Sequence, residues 1–250
     1  MRALILSDIH ANLDALEAVL AAAPDHEVVW NLGDIVGYGG NPNEVIERVR
    51  DLGTIFVRGN HDRVCSGLTT PGEFNAVAAR AARWTQAVLT PEHTQWLQRL
   101  VQGPVKPNGP MVSCMHGSLL DEDEYMFSMR DAWQPLRDAA TLYNFFGHTH
   151  MQGGFAASGE ALFKVQPLYK TRDSAEEFEV QLNVSARYML NPGSVGQPRD
   201  YDWRAAFAIY DDVRQTVGFF RVPYDVRAAQ MSILRAGLPD RLAMRLREGR

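Results

Sequence analysis

The chain has 250 residues, 46% of them apolar and 22% charged, which are the proportions of a globular protein with a buried core. Its formal net charge of −5 gives no general attraction to nucleic acid or to an anionic membrane, so we expect neither as a partner. Two cysteines, Cys65 and Cys114, are too few for a disulfide framework and are expected to be buried or half-buried thiols.

The start of the chain, MRALILSD, predicts a strand from residue 2 and lacks the basic segment, long apolar segment and cleavage site of a secretory signal. No apolar run approaches the ~18 residues that a membrane-spanning helix needs. We therefore expect a cytoplasmic protein. No stretch of the sequence indicates an oligomer interface, and we treat residues 1–250 as a single domain.

Over residues 1–150, short apolar segments alternate with amphipathic helices, a pattern typical of βαβ units and a largely parallel buried sheet. The predicted strands are ALILSD, EVVWNLGD, TIFVRGN, MVSCMHG and YNFFGHTH. The predicted helices cover residues 12–24, 41–53, 73–89 and 91–100. Asn41 is the expected N-cap of the second helix, and Thr90 is that of the fourth.

After residue 150, the alternation of strands and helices gives way to short β-like segments separated by turn residues. This pattern predicts a second, more antiparallel sheet. Residues 225–250 are predicted to form a helical tail with a break near Gly237 and Pro239. Residues 118–140 mix acidic and aromatic side chains. They are interpreted either as a lid that sets substrate choice or as a solvated acidic loop followed by a helix.

Polar residues follow each predicted strand of residues 1–150, at the point where the strand ends. They are Asp8, His10, Asp34, Asn60, His61, His116, His148 and His150. In an open α/β sheet the carboxyl ends of the strands border one crevice, so these side chains are expected to meet. In an extended backbone, Asp8 and His10 would also share one face, as would His148 and His150.

The chemistry of this set indicates a metal centre. Neutral imidazoles, two carboxylates and an amide, without a thiolate, suit Mn, Fe, Co, Ni or Zn better than a closed structural zinc site. The set is too large for one tetrahedral ion. Two divalent ions bridged by a carboxylate fit the number of ligands, and such pairs promote in-line displacement at phosphorus.

Each motif is weak alone, but their order D-x-H, G-D, G-N-H-D/E, H and G-H-x-H over residues 4–151 resembles the calcineurin-like metallophosphoesterase superfamily. The segment LNPGSVGQPRD, residues 190–200, is similar to a loop of the small bacterial and archaeal phosphodiesterases of that superfamily. The resemblance implies a four-layer α-β-β-α sandwich with two mixed β-sheets. It also implies that two metal ions lie at the carboxyl ends of the strands.

The resemblance assigns a role to each motif residue. It implies that one metal is held by Asp8, His10, Asp34 and His150, and the other by Asp34, Asn60, His116 and His148. Two divalent ions are implied, with manganese favoured in function and iron, zinc, nickel or cobalt as alternatives. A hydroxide that bridges the metals would attack phosphorus in line. His61 resembles the non-ligand histidine that protonates the leaving alkoxide or stabilises the phosphoryl oxygens.

The segment GDIVGYG, residues 33–39, departs from the pattern G-D-x-x-D-R-G of some superfamily members. Gly37 and Tyr38 stand where those members have an aspartate that partners the catalytic histidine and an arginine that binds phosphate. This difference weakens the hypothesis that the chain is a protein serine/threonine phosphatase. Asp62 is a candidate partner for His61 instead, or it is an ordinary turn residue.

Three further residues are candidate substrate contacts, each with a structural alternative. Asn12 either points toward the phosphate or caps the first helix. Tyr38 either contacts substrate or is a buried aromatic residue. Arg199 either binds a phosphate oxygen bidentately or pairs with Asp200 or Asp202 at the surface. His26 and His93 are both expected to be surface residues without a functional role.

The sequence therefore predicts a metal-dependent phosphoesterase that acts on a phosphodiester or a nucleotide-like small molecule. A nuclease is one alternative, although the net charge argues against the basic surface that it needs. A non-catalytic metal-binding scaffold is the other, since a retromer subunit is similar in fold and has lost catalytic residues. The presence of His61 and of every implied ligand favours the enzyme.

Overall fold

The computed structural model describes residues 1–107 and 111–250. The strands in these ranges are β1 (Arg2–Leu6), β2 (Val28–Asn31), β3 (Ile55–Phe56), β4 (Val112–Cys114), β5 (Tyr143–Phe145), β6 (Gly153–Ser158), β7 (Ala161–Val165), β8 (Glu176–Gln181), β9 (Arg187–Asn191), β10 (Ala205–Asp211) and β11 (Thr216–Val222). The helices are α1 (Leu13–Ala22), α2 (Pro42–Arg50), α3 (Asn60–Cys65), α4 (Ala76–Val88), α5 (Pro91–Gln98), α6 (Met129–Asp138), α7 (Val226–Arg235) and α8 (Asp240–Glu248).

The strands form two mixed sheets with the orders β3-β2-β1-β10-β11-β8 and β4-β5-β9-β6-β7. In the first, β1, β2 and β3 are parallel and β10, β11 and β8 are antiparallel. In the second, β4, β5 and β9 are parallel and β6 and β7 are antiparallel. The prediction that the strands of residues 1–150 share one largely parallel sheet is wrong. A strand buried on both faces has the same apolar sequence whichever sheet it joins, so the pattern did not reveal the division.

The fold has four layers in the order helices, first sheet, second sheet and outer helix α6. Apolar side chains fill each of the three spaces between these layers. Along β1, Ala3 and Ile5 face the second sheet, whereas Leu4 and Leu6 pack against the helices. The outer layer joins the second sheet to α6 and includes buried Leu136. The alternating directions of the β1 side chains are the period-two pattern of a strand buried on both faces. The expected four-layer α-β-β-α sandwich with two mixed sheets is confirmed.

The helix ends follow the sequence at most positions. Asn12 accepts a hydrogen bond from the Ala15 N–H at 3.1 Å and caps α1, and Thr90 caps α5 in the same way. Asn41 occupies the N-cap of α2, but its side chain makes no capping hydrogen bond, so that part of the prediction is wrong. Pro42 begins the helix with its φ already fixed, which lowers the need for a side-chain cap.

The tail packs onto the body of the protein through its two helices. Gly237 adopts φ +64° between α7 and α8, close to the predicted break, and Leu242 and Leu246 of α8 are buried in the helix-side core. At the end of α8, the carbonyl of Gly249 accepts a hydrogen bond from the Tyr201 N–H at 2.8 Å. The end of the tail therefore contacts the loop between β9 and β10.

The remaining expectations have mixed outcomes. Both cysteines are buried, as predicted. His93 is 3% exposed, so the surface interpretation is wrong: its Nδ1 lies 2.7 Å from Asn43 Oδ1, between α5 and α2. His26 is half-buried, and its Nδ1 bonds the Pro24 carbonyl at 2.9 Å. Within residues 1–107 and 111–250, no helix has both the length and the apolar character needed to span a bilayer.

Candidate metal centre

The polar residues predicted to meet do lie together, at one edge shared by both sheets. Asp8 and His10 follow β1, Asp34 follows β2, and His116, His148 and His150 follow β4 and β5. These six side chains are buried, and Asn60 at the start of α3 is half-buried. The cluster therefore sits between the two sheets and is largely removed from solvent.

The backbone at the cluster is not extended. Five of the six buried members have a left-handed φ: Asp8 +52°, His10 +49°, Asp34 +55°, His148 +66° and His150 +59°. The explanation by alternation along an extended strand is therefore wrong, since left-handed turns direct the side chains inward. Such residues cost of order 1–3 kcal/mol each and persist where the surrounding structure fixes them, often at functional sites.

Glycines give the cluster room. A Cβ on Gly147 would lie 2.0 Å from Ser7 Oγ and 3.0 Å from Asp8 Oδ2, as expected for a position where the backbone passes close to the site. A Cβ on Gly59 would lie 2.1 Å from Asp34 Oδ1. The motif glycines thus allow main chain to approach the carboxylates.

The candidate ligand atoms fall into two groups that share Asp34. The groups are Asp8, His10, Asp34 and His150, and Asp34, His116 and His148, and within each group the atoms lie within 4.8 Å of one another. In the first group, His10 Nε2 lies 3.2 Å from His150 Nε2 and 3.5 Å from Asp34 Oδ2. In the second group, His116 Nε2 lies 3.4 Å from Asp34 Oδ2 and 3.2 Å from Asn60 Oδ1. This division parallels the two ligand sets that the resemblance implied.

Each imidazole is oriented by a main-chain carbonyl. The second ring nitrogen lies 3.1 Å from the Val36 oxygen for His10, 2.9 Å from Leu32 for His116, 3.1 Å from Asp123 for His148 and 2.6 Å from Gln197 for His150. Carbonyls only accept, so these nitrogens carry the hydrogen and the inward nitrogens of the uncharged rings present lone pairs. The inward Nε2 atoms of His10 and His150, which lie 3.2 Å apart, therefore repel unless a cation lies between them. The donor set therefore fits divalent metal ions held by Asp and His.

The electrostatics of the cluster agree with this fit. Burial lowers the pKa of His148 to about 3 and raises the pKa of Asp8 to about 7. Burial also acts to lower the pKa of His116, but the carboxylates of Asp34 and Asp8 outweigh it and raise that pKa to about 10. Without a metal, the carboxylates thus hold a proton on His116, at the position where a divalent cation would replace it.

His61 lies beside the cluster but outside both groups. Its ring centroid is 4.3 Å from Tyr38, 4.5 Å from Phe74 and 4.9 Å from His10. Its Nδ1 is buried and has no hydrogen-bond partner among the described residues. A Cβ on Gly37 would lie 2.5 Å from that nitrogen. Aromatic rings, rather than a carboxylate, therefore position His61.

Asp62 does not orient His61. Its Oδ1 accepts hydrogen bonds from the Ile35 and Val36 N–H groups at 2.9 and 3.2 Å, and its Oδ2 accepts one from the Gly59 N–H at 3.1 Å. The structure thus favours the turn alternative, in which this carboxylate ties the loop after β2 to the start of α3.

Two of the candidate substrate contacts serve mainly the fold. Asn12 caps α1, and its amide nitrogen donates to the Gly196 carbonyl at 2.8 Å, so both ends of the side chain are used inside the protein. Tyr38 is buried and packs 4.7 Å from the His10 ring, which agrees with the alternative of a buried aromatic residue. Neither observation supports a direct contact with phosphate.

Arg199 has a different environment from the one its surface alternative requires. Asp200 pairs with Arg221 and Asp202 pairs with Arg204, so the surface pairing of Arg199 is wrong. The guanidinium of Arg199 instead lies 5.8 Å from the Tyr38 ring, and its Nη2 donates to Gln197 Oε1 at 3.1 Å. A role of Arg199 in binding substrate stays a prediction.

The insert lies at the site. Asp123 supplies the carbonyl that orients His148, and the Tyr125 ring stacks on the same histidine at 3.8 Å. Glu122 pairs with Arg58 and Arg63, and Asp123 pairs with Arg63. A freely solvated acidic loop does not describe this segment. A lid was one of the two predictions for this segment, but the contact with His148 could not be predicted, because a main-chain carbonyl leaves no side-chain signal.

One cation near the site was missed altogether. Arg245 of α8 lies with its guanidinium 5.9 Å from the Tyr38 ring. The available signal was its place in the helix, next to the apolar face that Leu242 and Leu246 form, where a charged side chain can reach over the core. No motif pointed to it.

The fold and the Asp/His cluster together define a metallophosphoesterase type of architecture. A metallophosphoesterase from Sphaerobacter thermophilus has a similar structure, with 40% sequence identity and a TM-score of 0.82 over 100% of this chain and 99% of that one. The uncharacterized protein MJ0912 of Methanocaldococcus jannaschii is 34% identical over 251 residues, covering 98% of this chain and 97% of its own. A symmetrical bis(5'-nucleosyl)-tetraphosphatase of Yersinia enterocolitica is 32% identical over 104 residues, 40% of this chain and 36% of its own.

The family model of the calcineurin-like phosphoesterase superfamily domain matches residues 1–212. The chain belongs to that superfamily.

Proposed function

We propose that the protein is a metal-dependent phosphoesterase that hydrolyses a phosphodiester or a nucleotide-like small molecule. The observation that carries the proposal is the orientation of four imidazoles by main-chain carbonyls, which directs their free nitrogens at two buried carboxylates. A structural histidine cluster has no need of such unpaired inward lone pairs. Membership of a phosphoesterase superfamily supports the same conclusion.

Two divalent ions would be held by the sets that share Asp34, with the half-buried Asn60 as the fourth ligand of the second set. Bound there, they would stabilise negative charge at phosphorus and make water nucleophilic at neutral pH. Ligands of this kind suit manganese, and they also accept iron, zinc, nickel or cobalt. Within each set, the ligand atoms of the rings and carboxylates already lie within 4.8 Å of one another.

His61 would act on the substrate directly. Burial lowers its pKa to about 4, so at neutral pH the imidazole is uncharged. An uncharged imidazole donates one N–H hydrogen bond, which supports stabilisation of a phosphoryl oxygen more strongly than transfer of a proton to the leaving group. The rings of Tyr38 and Phe74 hold it in place for that hydrogen bond.

A neighbouring cavity supports a substrate with an organic group. The cavity has a volume of about 400 Å³; Thr149, which lies between two candidate ligands, lines it, but none of the candidate ligands does. Met126 and Phe127 of the insert and Lys164 line it, which supports a role of the insert in substrate choice. A volume of this size suits a small molecule. The partial match to a bis(5'-nucleosyl)-tetraphosphatase supports the nucleotide-like class.

The proposal is tested with purified protein by measuring bound metal through elemental analysis and turnover of bis-p-nitrophenyl phosphate with Mn²⁺ and the other candidate ions. We expect metal-dependent turnover that a chelator abolishes and added Mn²⁺ restores. A folded, metal-loaded protein with no turnover in any divalent ion would contradict the proposal and favour the scaffold. If turnover is found, a screen of cyclic nucleotides, dinucleoside polyphosphates and phosphomonoesters would identify the substrate.

A further inference from the structure

Two guanidinium groups from distant parts of the chain lie near the same aromatic ring beside the cluster. Arg199 comes from the loop between β9 and β10, and Arg245 comes from α8. Their Cζ atoms lie 5.8 and 5.9 Å from the centroid of the Tyr38 ring. That ring in turn lies 4.7 Å from His10 and 4.3 Å from His61. Both cations therefore lie beside a ring that packs against the candidate ligand His10 and against His61.

No acidic side chain neutralises this pair. Within residues 1–107 and 111–250, neither arginine forms an ion pair with an Asp or Glu side chain. The Nε of Arg199 is buried and has no hydrogen-bond partner in the same ranges. The Nε of Arg245 donates to an oxygen of Arg250, the last residue of the sequence, at 2.5 Å. Two like charges near one ring, with no acidic side chain paired to either, favour the binding of an anion.

The electrostatics of Arg245 agree with that reading. Burial lowers its pKa to about 10, and repulsion from Arg199 acts in the same direction. The neighbouring acids do not relieve the repulsion, because Asp200 and Asp202 are engaged by Arg221 and Arg204. The pair is thus costly in the protein alone, and its cost would be offset by a bound anion.

The position of Arg245 is fixed by packing. Leu242 and Leu246 anchor α8 in the core, and the Gly249 carbonyl accepts a hydrogen bond from the Tyr201 N–H at 2.8 Å. Gly249 has φ +63°, and a Cβ there would lie 2.7 Å from the Asp202 main-chain nitrogen. The end of α8 is therefore seated on the loop that carries Arg199. The superfamily match ends at residue 212, before α8 begins.

We infer that Arg199 and Arg245 form a subsite for a second phosphoryl group of the substrate, beside the one that is hydrolysed. Guanidinium groups bind phosphate through paired, charge-assisted hydrogen bonds, and the Nε of Arg199 has no partner among the described residues. The inference rests on the proposed function and narrows its substrate class. It points to a nucleotide-like molecule that carries at least two phosphoryl groups, rather than a simple phosphodiester.

The test is calorimetric titration of inorganic pyrophosphate into the full-length, metal-free protein with EDTA present, so that it does not depend on catalysis. We expect saturable binding that Arg245→Gln and Arg199→Gln each weaken at least about tenfold, equivalent to ~1.4 kcal/mol. Arg247→Gln is the matched control, because it removes the same charge from an exposed position of α8. Its affinity should match that of the unmodified protein. Arg245→Lys, which keeps the charge but not the planar group, should give an intermediate affinity.

The outcomes separate the subsite from the enzyme. The inference is overturned if the unmodified protein does not bind pyrophosphate, or if Arg245→Gln binds it as well as the control does. Thermal unfolding of each variant checks the fold. If Arg245→Gln does not fold, the pyrophosphate affinity of Arg245→Lys tests the inference in its place. Absence of bis-p-nitrophenyl phosphate turnover would contradict the proposed function alone, since the pyrophosphate titration involves neither metal nor hydrolysis.

Discussion

Replacement of His61 by alanine separates catalysis from metal binding. The side chain of His61 supplies no atom to either ligand group, and its Nδ1 has no partner among the described residues. Its main-chain N–H donates to Asp34 Oδ1 at 2.8 Å, and alanine retains that N–H. Both metals should therefore stay bound. Loss of one hydrogen-bond donor to the transition state should lower kcat about 10²–10³-fold.

Metal content by elemental analysis and kcat on bis-p-nitrophenyl phosphate measure the two effects separately. His26→Ala is the control, because this half-buried histidine bonds the nearby Pro24 carbonyl, belongs to neither ligand group and should alter neither quantity. Full activity in His61→Ala would refute the assigned role. A fall in metal content in step with activity would refute the claim that His61 lies outside the metal centre.

Replacement of Asp34 by asparagine is the counterpart, because it should remove metal as well as activity. Asp34 Oδ1 accepts the His61 N–H, and Oδ2 lies 3.5 Å from His10 Nε2 and 3.4 Å from His116 Nε2. Either orientation of the amide puts an N–H donor where an acceptor is needed, and the shared negative charge is lost. Metal affinity should fall at least as much as the about 10–100-fold typical of losing an outer partner of a ligand. Retention of two metals per chain, measured by elemental analysis, would contradict the bridging assignment.

Three further substitutions test the surroundings of the cluster. Gly147→Ala places a Cβ 2.0 Å from Ser7 Oγ and should lower the free energy of unfolding, measured in urea, by about 1–3 kcal/mol. Asp62→Ala leaves three buried main-chain N–H groups without acceptors and should cost at least about 2 kcal/mol by the same measurement. Tyr125→Ala removes the ring that stacks on His148 and should raise KM while metal content, measured in parallel, is unchanged. An unfolding free energy equal to the parent's, or metal loss in Tyr125→Ala, would contradict the respective reasoning.

The ligand groups could be predicted from the sequence, whereas their geometry could not. Residues such as Asp34 and His116 were identified because short motifs with distinctive side chains follow apolar strands. The structure brings them together through left-handed backbone at five positions rather than through extended alternation. Left-handed φ values at Asp and His depend on tertiary contacts, such as the hydrogen bond from the His10 N–H to the Asp34 carbonyl at 3.0 Å. Sequence periodicity contains no such information.

Residues that act through main chain or from a distant element were beyond sequence reasoning. Asp123 orients His148 through its carbonyl oxygen. The sequence shows only the acidic side chain of Asp123, which does not indicate that role. Arg245 lies more than 40 residues after Arg199, in a tail that was predicted only to be helical. The division of the strands between two sheets likewise depends on pairing that a continuous apolar pattern does not specify.

The same features that make the cluster costly for the polypeptide make it a strong site for metal. Left-handed backbone at Asp8 and His10 and facing lone pairs, such as those of His10 and His150 3.2 Å apart, raise the free energy of the metal-free fold. Because the donors come from both sheets, an ion that binds them also joins those sheets at their shared edge. Binding free energy at such a site contributes to folding free energy. The catalytic arrangement and the stability of this edge therefore depend on the same ions, and a substitution that removes a ligand should weaken both.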